Sequence, residues 1–215
     1  MKKNLFLVLL ILCFGRPAFP NGIDTVFSKR LGQNSSIYYF KINVFKNQYS
    51  HSFYTVNIYK DSISNLMQTI SDSTNGGFSF QYPEFGMEFI DINFDGNLDL
   101  KFYDYMSADG QSFRYKYWLF NKKADKFIYN KDFTAKLSGT EVYIDSIKNM
   151  IIVPFNSGDY EKGQDRYKVV NDKLILYERE GIFYDIKKGA QFERLYRNIN
   201  GKMKIIKEKP YSSKG

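Results

Sequence analysis

Hydrophobic and polar residues alternate along most of the chain, and this period of two predicts β-strands. The longest such runs are 37–44, 53–59, 98–103 and 113–120, in each of which one set of alternate side chains is aliphatic or aromatic. These runs are rich in Tyr, Phe, Ile and Val, which fit a pleated, half-buried surface. No long segment shows the apolar spacing of an amphipathic helix, so we expect at most a short helix, at 62–70 or 185–193.

Turn-forming residues separate the predicted strands. Asn or Asp beside Gly, or beside each other, favours the positive φ that tight hairpin turns need. Such pairs occur at Asn75-Gly76-Gly77, Asp109-Gly110, Asn171-Asp172 and Asn200-Gly201, and the polar stretch 121–126 joins two further runs. Short strands with close turns predict an all-β fold, an antiparallel meander arranged as a sandwich, an open barrel or propeller-like blades.

The N-terminal segment has the order of a secretory signal peptide. A basic start precedes an apolar run at 5–14, which is shorter than the roughly 20 residues of a membrane-spanning helix. We expect a signal peptide at 1–15, with cleavage before Arg16 or as late as residue 20. A single β domain then covers 16–206, followed by a disordered tail at 207–215. The sequence thus predicts a periplasmic or secreted protein whose mature form has no transmembrane segment.

Cysteine usage and charge narrow the range of partners. Cys13 is the only cysteine, so the mature chain has no disulfide and depends on its core for stability. Leu12 stands where a lipid-anchoring signal has a small residue, which argues against lipidation. The full chain has 31 Lys and Arg against 23 Asp and Glu, a net charge of +8. Outside the cytoplasm this charge favours acidic glycans, anionic headgroups or acidic proteins over nucleic acid, although scattered basic residues also suit a solvated surface.

The segment 91–99, with the sequence DINFDGNLD, carries the most specific chemistry in the chain. Its first, third, fifth and ninth positions bear side-chain oxygens, and Gly96 at the sixth permits a sharp turn. Calcium takes six to eight oxygen ligands, and this spacing lets one loop supply most of them. The expected calcium ligands are the side chains of Asp91, Asn93 and Asp95, the backbone carbonyl of Asn97, and Asp99 directly or through water. A plain acidic turn is the alternative, since Asp, Asn and Gly are common in turns.

This acidic loop is not an EF-hand. Its twelfth position, where an EF-hand has a bidentate glutamate, is Phe102, and the flanking residues are expected to form strands rather than helices. The loop resembles the strand-flanked DxDxDGxxD loops of FG-GAP and VCBS-type calcium blades. Calcium in such a loop relieves the repulsion between its carboxylates and orders the strand pairing.

The resemblance extends beyond the loop, over about 85–180. The loop is followed by the sequence YKYWLFN from Tyr115, by Lys126-Phe127, and by RYKVVNDKLIL from Arg166. This order resembles a family of bacterial envelope proteins that includes periplasmic immunity proteins against type IV-secreted lysozyme-like effectors. The resemblance implies a non-catalytic, calcium-binding periplasmic protein with a protein partner such as a lysozyme-like hydrolase. It assigns no inhibitory residues, because no matching motif is evident.

Catalytic groups are scarce in the sequence. His51 is the only histidine and lies in a polar turn, where a surface role is expected, and without a mature cysteine a Cys/His zinc site is excluded. Glycoside hydrolysis needs two carboxylates at a defined separation, but nothing in the glutamate spacing selects a pair. The glutamates considered are Glu84, Glu88, Glu141, Glu161, Glu178 and Glu180. We therefore expect no enzymatic activity.

Two loops combine a tyrosine with Gly, Asp and Ser, a composition suited to contact with proteins or glycans but also ordinary for loops. They are 104–112 with Tyr105 and 156–165 with Tyr160, whereas Trp118 in an alternating strand is expected to pack in the core. Two classes of function follow. The protein binds and inhibits a cell-wall hydrolase, or it is a calcium-ordered extracellular adhesion or glycan-binding module.

Overall fold

A computed structural model describes residues 23–33, 35–46, 52–74, 86–106, 113–137, 139, 141–158 and 160–212. These residues form fourteen strands and one short helix, which confirms the all-β prediction. The strands are β1 Ile23–Arg30, β2 Ile37–Lys46, β3 Ser52–Lys60, β4 Leu66–Thr74, β5 Met87–Ile90, β6 Asp99–Met106, β7 Phe113–Asn121, β8 Lys126–Tyr129, β9 Tyr143–Asp145, β10 Met150–Asn156, β11 Glu161–Val170, β12 Lys173–Asp185, β13 Ala190–Ile199 and β14 Lys202–Pro210, and the helix is α1 Lys131–Lys136. The predicted signal peptide, His51 and the turns at 75–77 and 109–110 lie outside the described residues.

The strands form three antiparallel sheets that follow one another along the chain. The first sheet contains β1 to β4, the second β5 to β8, and the third the six strands β9 to β14. Within each sheet, strands adjacent in sequence are adjacent in space, so the predicted meander is confirmed. None of the three sheets closes into a barrel over the described ranges.

The second sheet is buried on both faces. On one face, Leu100 and Phe102 of β6 pack with residues of the first sheet such as Phe40. On the other face, Tyr117 and Leu119 of β7 pack with α1 and with residues of the third sheet. Because successive side chains of a strand point to opposite faces, this sheet contributes to two cores. The first core lies between the first and second sheets, and the second core lies between the second and third sheets.

The helix predictions at 62–70 and 185–193 are wrong. The first range contains a turn and the start of β4, and the second contains the hairpin turn between β12 and β13. The helix forms instead at Lys131–Lys136, where Asn130 caps its N-terminus by accepting the Phe133 N–H at 3.0 Å. Six residues are too few for a periodic signal, and tertiary contacts of the buried Phe133 stabilise this turn of helix.

Two predicted hairpin turns are confirmed by left-handed backbone. Asn171 and Asp172 have φ of 51° and 55°, and Asn200 and Gly201 have φ of 53° and 81°. The tail is ordered further than expected, because β14 pairs with β13 as far as Pro210 and the predicted boundary at 207 lies inside this strand. Among the described residues, no helix is long and apolar enough to cross a membrane.

Candidate metal centre

The acidic loop, 91–99, connects β5 to β6 and contains two residues with left-handed backbone. Phe94 has a φ of 62° and Gly96 a φ of 84°. The left-handed conformation costs a residue with a side chain about 1–2 kcal/mol, whereas glycine adopts it freely. Phe94 packs against the second core, and this burial offsets the cost. The sharp turn predicted from the sequence at Gly96 is thus accompanied by a second left-handed residue, Phe94, which only tertiary packing explains.

The side chains of the loop accept hydrogen bonds from its own backbone. The Asp91 carboxylate accepts the N–H groups of Asp95 at 3.1 Å and Gly96 at 3.0 Å. The Asn93 side-chain oxygen accepts the Asp95 N–H at 3.2 Å, and the Asp95 carboxylate accepts the Asn97 N–H at 2.8 Å. The loop is therefore ordered locally by a chain of side-chain-to-backbone bonds.

Asp99 has a different environment from the other acidic residues. Its side chain is fully buried, and its two carboxylate oxygens accept the backbone N–H groups of Ile92 at 3.1 Å and Phe120 at 2.8 Å. Burial raises the pKa of Asp99 to about 7, because the charged form loses its hydration; the two hydrogen bonds oppose this shift and the nearby Asp95 and Asp91 charges add to it. Asp99 thus joins the start of the loop to β7. Its role as a calcium ligand stays a prediction.

The loop contacts the first sheet through the turn that follows β1. The Leu98 N–H donates to the Leu31 carbonyl at 2.5 Å, and Gly32 forms an isolated antiparallel bridge with Asn97. A Cβ atom on Gly32 would lie 2.9 Å from the Asn97 side-chain oxygen. Glycine at this position therefore allows the first sheet to approach the loop closely.

The loop contacts the third sheet through the turn between β11 and β12. The Asn93 side-chain amide donates to the Asp172 carboxylate at 3.1 Å. Sequence reasoning identified Asp172 only as a turn residue and missed Gly32, because neither contact has a local sequence signal. Residues from all three sheets consequently meet at the acidic loop.

The donor chemistry of the loop fits a hard cation. Asp91, Asn93 and Asp95 are close enough to share hydrogen-bond partners, and each carries side-chain oxygens of the kind that calcium prefers. Burial also raises the pKa of Asp91, and the charge of Asp95 adds to the shift, so a cation would relieve an unfavourable concentration of negative charge. Over the described ranges, no three Asp, Glu, His or Cys side chains are already arranged to hold an ion. Any ligand shell here would therefore combine carboxylates with Asn side-chain and backbone oxygens.

The aromatic residues predicted for contact or core positions differ in exposure. Tyr160 is 66% exposed, and its ring lies edge-on to that of Tyr184 at 6.0 Å. Trp118 is half-buried, packs against the first core and lies 5.3 Å from the Tyr129 ring. The side chain of Tyr105 lies outside the described residues. Tyr160 is therefore available for contact with a partner, and Trp118 belongs to the packing of the sheets.

Comparisons with known proteins give one informative similarity. No protein-family model matches the chain, and no curated protein matches it. The fold is similar to that of a solved structure described as a Xanthomonas type IV secretion system related protein, with a TM-score of 0.56 and 14% sequence identity. The alignment covers 88% of this chain and 100% of the other. At this identity the similarity concerns the fold, so the chain shares an all-β architecture with a type IV secretion system related protein.

Proposed function

We propose that this protein is a non-catalytic binding protein of the bacterial envelope, ordered by calcium, that binds and inhibits a cell-wall hydrolase. The observation that carries the proposal is the position of the acidic loop, which contacts all three sheets through Gly32, Asp172 and its own strands. A cation at such a point would stabilise the relative arrangement of the sheets rather than catalyse a reaction. The fold shared with a type IV secretion system related protein supports an envelope setting.

Each loop residue has a separate role in this proposal. Asp91, Asn93 and Asp95 supply side-chain oxygens to the cation, and Asn97 supplies its backbone carbonyl. Asp99 holds the loop against β7 through its two backbone hydrogen bonds and adds negative charge close to Asp91 and Asp95. Bound calcium neutralises the carboxylates and so removes the repulsion that their proximity creates.

Thermal unfolding tests the calcium part of the proposal. The purified protein is melted in millimolar calcium and in excess chelator, beside Asp95→Ala and the control Asp61→Asn, at an exposed turn position outside the loop where asparagine tolerates the φ of 60°. We expect calcium to raise the Tm of the native protein and of Asp61→Asn but not of Asp95→Ala. Equal melting of the native protein in both conditions would reduce the loop to an acidic turn.

Binding to lysozyme-type muramidases tests whether the partner is a cell-wall hydrolase. We expect a stoichiometric complex with at least one member of a muramidase panel by gel filtration, and loss of its activity on peptidoglycan. If the protein instead leaves every muramidase active and is retained on peptidoglycan or another envelope glycan, the alternative of a glycan-binding module replaces the inhibitor.

A further inference from the structure

A groove crosses the third sheet from β11 to β14, with a volume of about 450 Å³. Two rows of side chains, each running straight across these four strands, line it. The rows are Lys162, Ile182, Glu193 and Lys209, and Gln164, Glu180, Leu195 and Lys207. Tyr143 and Pro154 extend the lining towards β9 and β10. We name this feature the cross-strand groove.

The groove lies where two strands approach unusually closely. Gly163 of β11 is paired with Gly181 of β12. A Cβ atom on Gly163 would lie 2.1 Å from the Glu180 carbonyl oxygen, and one on Gly181 would lie 2.4 Å from the Lys162 carbonyl oxygen. These contacts are with backbone, so a side chain at either position would force the two strands apart.

The groove opens on the face of the third sheet that points away from the second core. The core side chains of this sheet include Ile151 and Val153 of β10, and Pro154 lies at the alternate position, among the lining residues. Asp172, which contacts the acidic loop, is eight residues before Glu180, or roughly 25 Å along the strand direction. The groove is therefore separate from the candidate metal centre.

The groove face is basic, and its carboxylates are already paired. Glu180 binds Arg166 at 2.8 Å, and Glu193 binds Lys209 at 2.7 Å. The cations on this face, by strand register, are Lys162, Arg166, Lys168, Lys173, Arg197, Lys202, Lys204, Lys207 and Lys209, against Asp145, Glu178, Glu180 and Glu193. Within the part of the chain that the structure describes, neither Lys162 nor Lys207 forms a direct ion pair. The Lys162 ammonium group lies 5.9 Å from the centre of the Tyr211 ring, and the charge of Lys207 helps to lower the pKa of Glu180. These two ammonium groups project from strands three spacings apart, roughly 14 Å.

We propose that the cross-strand groove binds a segment of an anionic glycan, a sugar chain that bears carboxylate or phosphate groups. Ile182, Leu195 and the half-exposed Tyr143 offer apolar and aromatic surface for the faces of sugar rings. Lys162 and Lys207, which form no direct ion pair, offer positive charge for the anionic substituents on either side. A folded acidic protein needs about 800 Å² of contact per partner, whereas a groove of about 450 Å³ holds a short segment of an extended chain.

The two glutamates that line the groove are held in ion pairs, which suits binding of a glycan rather than its hydrolysis. Hydrolysis of a glycosidic bond needs a carboxyl group that keeps its proton near neutral pH. The hydrogen bond from Arg166 is the main cause that lowers the pKa of Glu180 below its usual range, against the opposing effect of burial. Glu180 is thus ionised and unsuited to act as a general acid, and it orients Arg166 instead.

Calorimetric titration with defined oligosaccharides tests the proposal. The probes are oligogalacturonate, which carries carboxylates, oligo(glycerol phosphate), which carries phosphates, and a neutral chitooligosaccharide of equal length, all at low salt with chelator present. The groove variant is Lys162→Gln with Lys207→Gln, and the matched control is Lys122→Gln with Lys123→Gln, exposed lysines in the turn between β7 and β8. Leu195→Trp is a second groove variant, which fills the groove without changing its charge.

We expect at least one anionic probe to bind the native protein, and binding of one or the other identifies carboxylate or phosphate as the recognised group. Both groove variants should bind about tenfold more weakly, the equivalent of about 1.4 kcal/mol, and the control should bind as the native protein does. No binding of either anionic probe, equal weakening by groove and control variants, or equal binding of the neutral probe would overturn the proposal. Calcium-dependent melting and muramidase inhibition are read separately, so either hypothesis can fail without the other.

Discussion

The side-chain amide of Asn93 donates a hydrogen bond to the Asp172 carboxylate, 3.1 Å away, and so connects the acidic loop of the second sheet to a turn of the third. Asp172 is itself held in place, because its backbone carbonyl accepts the Asn130 side-chain amide at 2.8 Å. Asn130 also caps α1, whose Asp132 accepts the Leu174 N–H at 2.7 Å. The loop, the helix cap and the β11–β12 turn therefore form one connected set of polar contacts. A substitution in one of them should weaken the contacts of the others.

Replacing Asp172 by glycine tests the connection between the loop and the third sheet. Glycine keeps the positive φ of this turn but removes the acceptor for Asn93. We expect a loss of about 1–2 kcal/mol in the free energy of unfolding, from the lost hydrogen bond and the added freedom of the unfolded chain. Under the calcium hypothesis, the calcium-induced rise in Tm should also shrink, because Asn93 loses one of the contacts that orient its side chain.

The matched control is Asn171→Gly, at the neighbouring turn position with a similar φ of 51°. Asn171 has no hydrogen bond to the loop within the described residues. This variant should therefore lower the free energy of unfolding by only about 0.5–1 kcal/mol, through the added freedom of the unfolded chain. Urea unfolding of both variants gives the comparison. If Asn171→Gly is as destabilising as Asp172→Gly, the contact with Asn93 contributes nothing.

Asp99→Ala separates the structural role of this residue from metal binding. The substitution leaves the buried N–H groups of Ile92 and Phe120 without their acceptor. We expect a loss of about 2–4 kcal/mol, measured by urea unfolding in excess chelator, because unpaired buried donors cost about 1–3 kcal/mol each and a cavity adds to this. Asp95→Ala is the control: its side chain is exposed, so in chelator it should change stability far less. Equal stability of the two variants in chelator would contradict the structural role of Asp99.

The environment of Asp99 shows where prediction from the sequence ends. The alternation of Leu98, Leu100 and Phe102 with Asp99 correctly predicts a strand with one apolar face, and it places Asp99 on the opposite, polar face. A strand of a sheet with one solvated face would leave this carboxylate in water. Burial follows only because the third sheet and α1 cover the other face of the second sheet, and no local pattern encodes that contact.

Turns and strands, by contrast, were largely predictable, because their signals are local. The Asn171-Asp172 and Asn200-Gly201 pairs predict positive φ, and all four residues have positive φ in the structure. Long-range features had no comparable signal. In the sequence, Gly32 cannot be distinguished from an ordinary turn glycine, and its close approach to Asn97 is visible only in the structure. The same holds for the pairing of Gly163 with Gly181.

Acid unfolding should depend on Asp125, which connects the first two sheets. This carboxylate, in the β7–β8 turn, accepts hydrogen bonds from the Tyr38 hydroxyl at 2.6 Å and from the Lys60 ammonium group. Burial alone raises the pKa of Asp125, but the two donors and the Lys60 charge outweigh it, and the pKa lies below its usual value of 3.8. The folded state therefore binds this proton less tightly than the unfolded state, so the stabilisation is complete above about pH 4 and is lost as the pH falls through the folded pKa.

Asp125→Asn should remove this part of the pH dependence. Asparagine tolerates the φ of 52° at this position and keeps the shape of the side chain. Urea midpoints measured from about pH 6 to pH 3 should fall less steeply in the variant, and its stability near neutrality should drop by roughly 0.5–1 kcal/mol, as expected for a partly exposed pair. Asp61→Asn, at a φ of 60° in an exposed turn, is the control. Parallel pH profiles for Asp125→Asn and the native protein would show that the contact does not stabilise the fold.

Gly163→Ala should be the most damaging small substitution in the third sheet. The added methyl group would lie 2.1 Å from the Glu180 carbonyl oxygen and 2.6 Å from the Gly181 Cα, both of them backbone atoms that cannot rotate away. The two strands must separate, and the ladder hydrogen bonds around this pair weaken, so we expect a loss of at least about 2 kcal/mol in urea unfolding. Gln164→Ala, one position along on the opposite face, should cost far less.

Gly181→Ala should resemble Gly163→Ala, and the double variant should cost less than the sum, because strands already separated by one methyl group have room for the second. Full additivity, or a tolerated Gly163→Ala, would mean that the glycine pair does not determine the close approach on which the shape of the cross-strand groove depends.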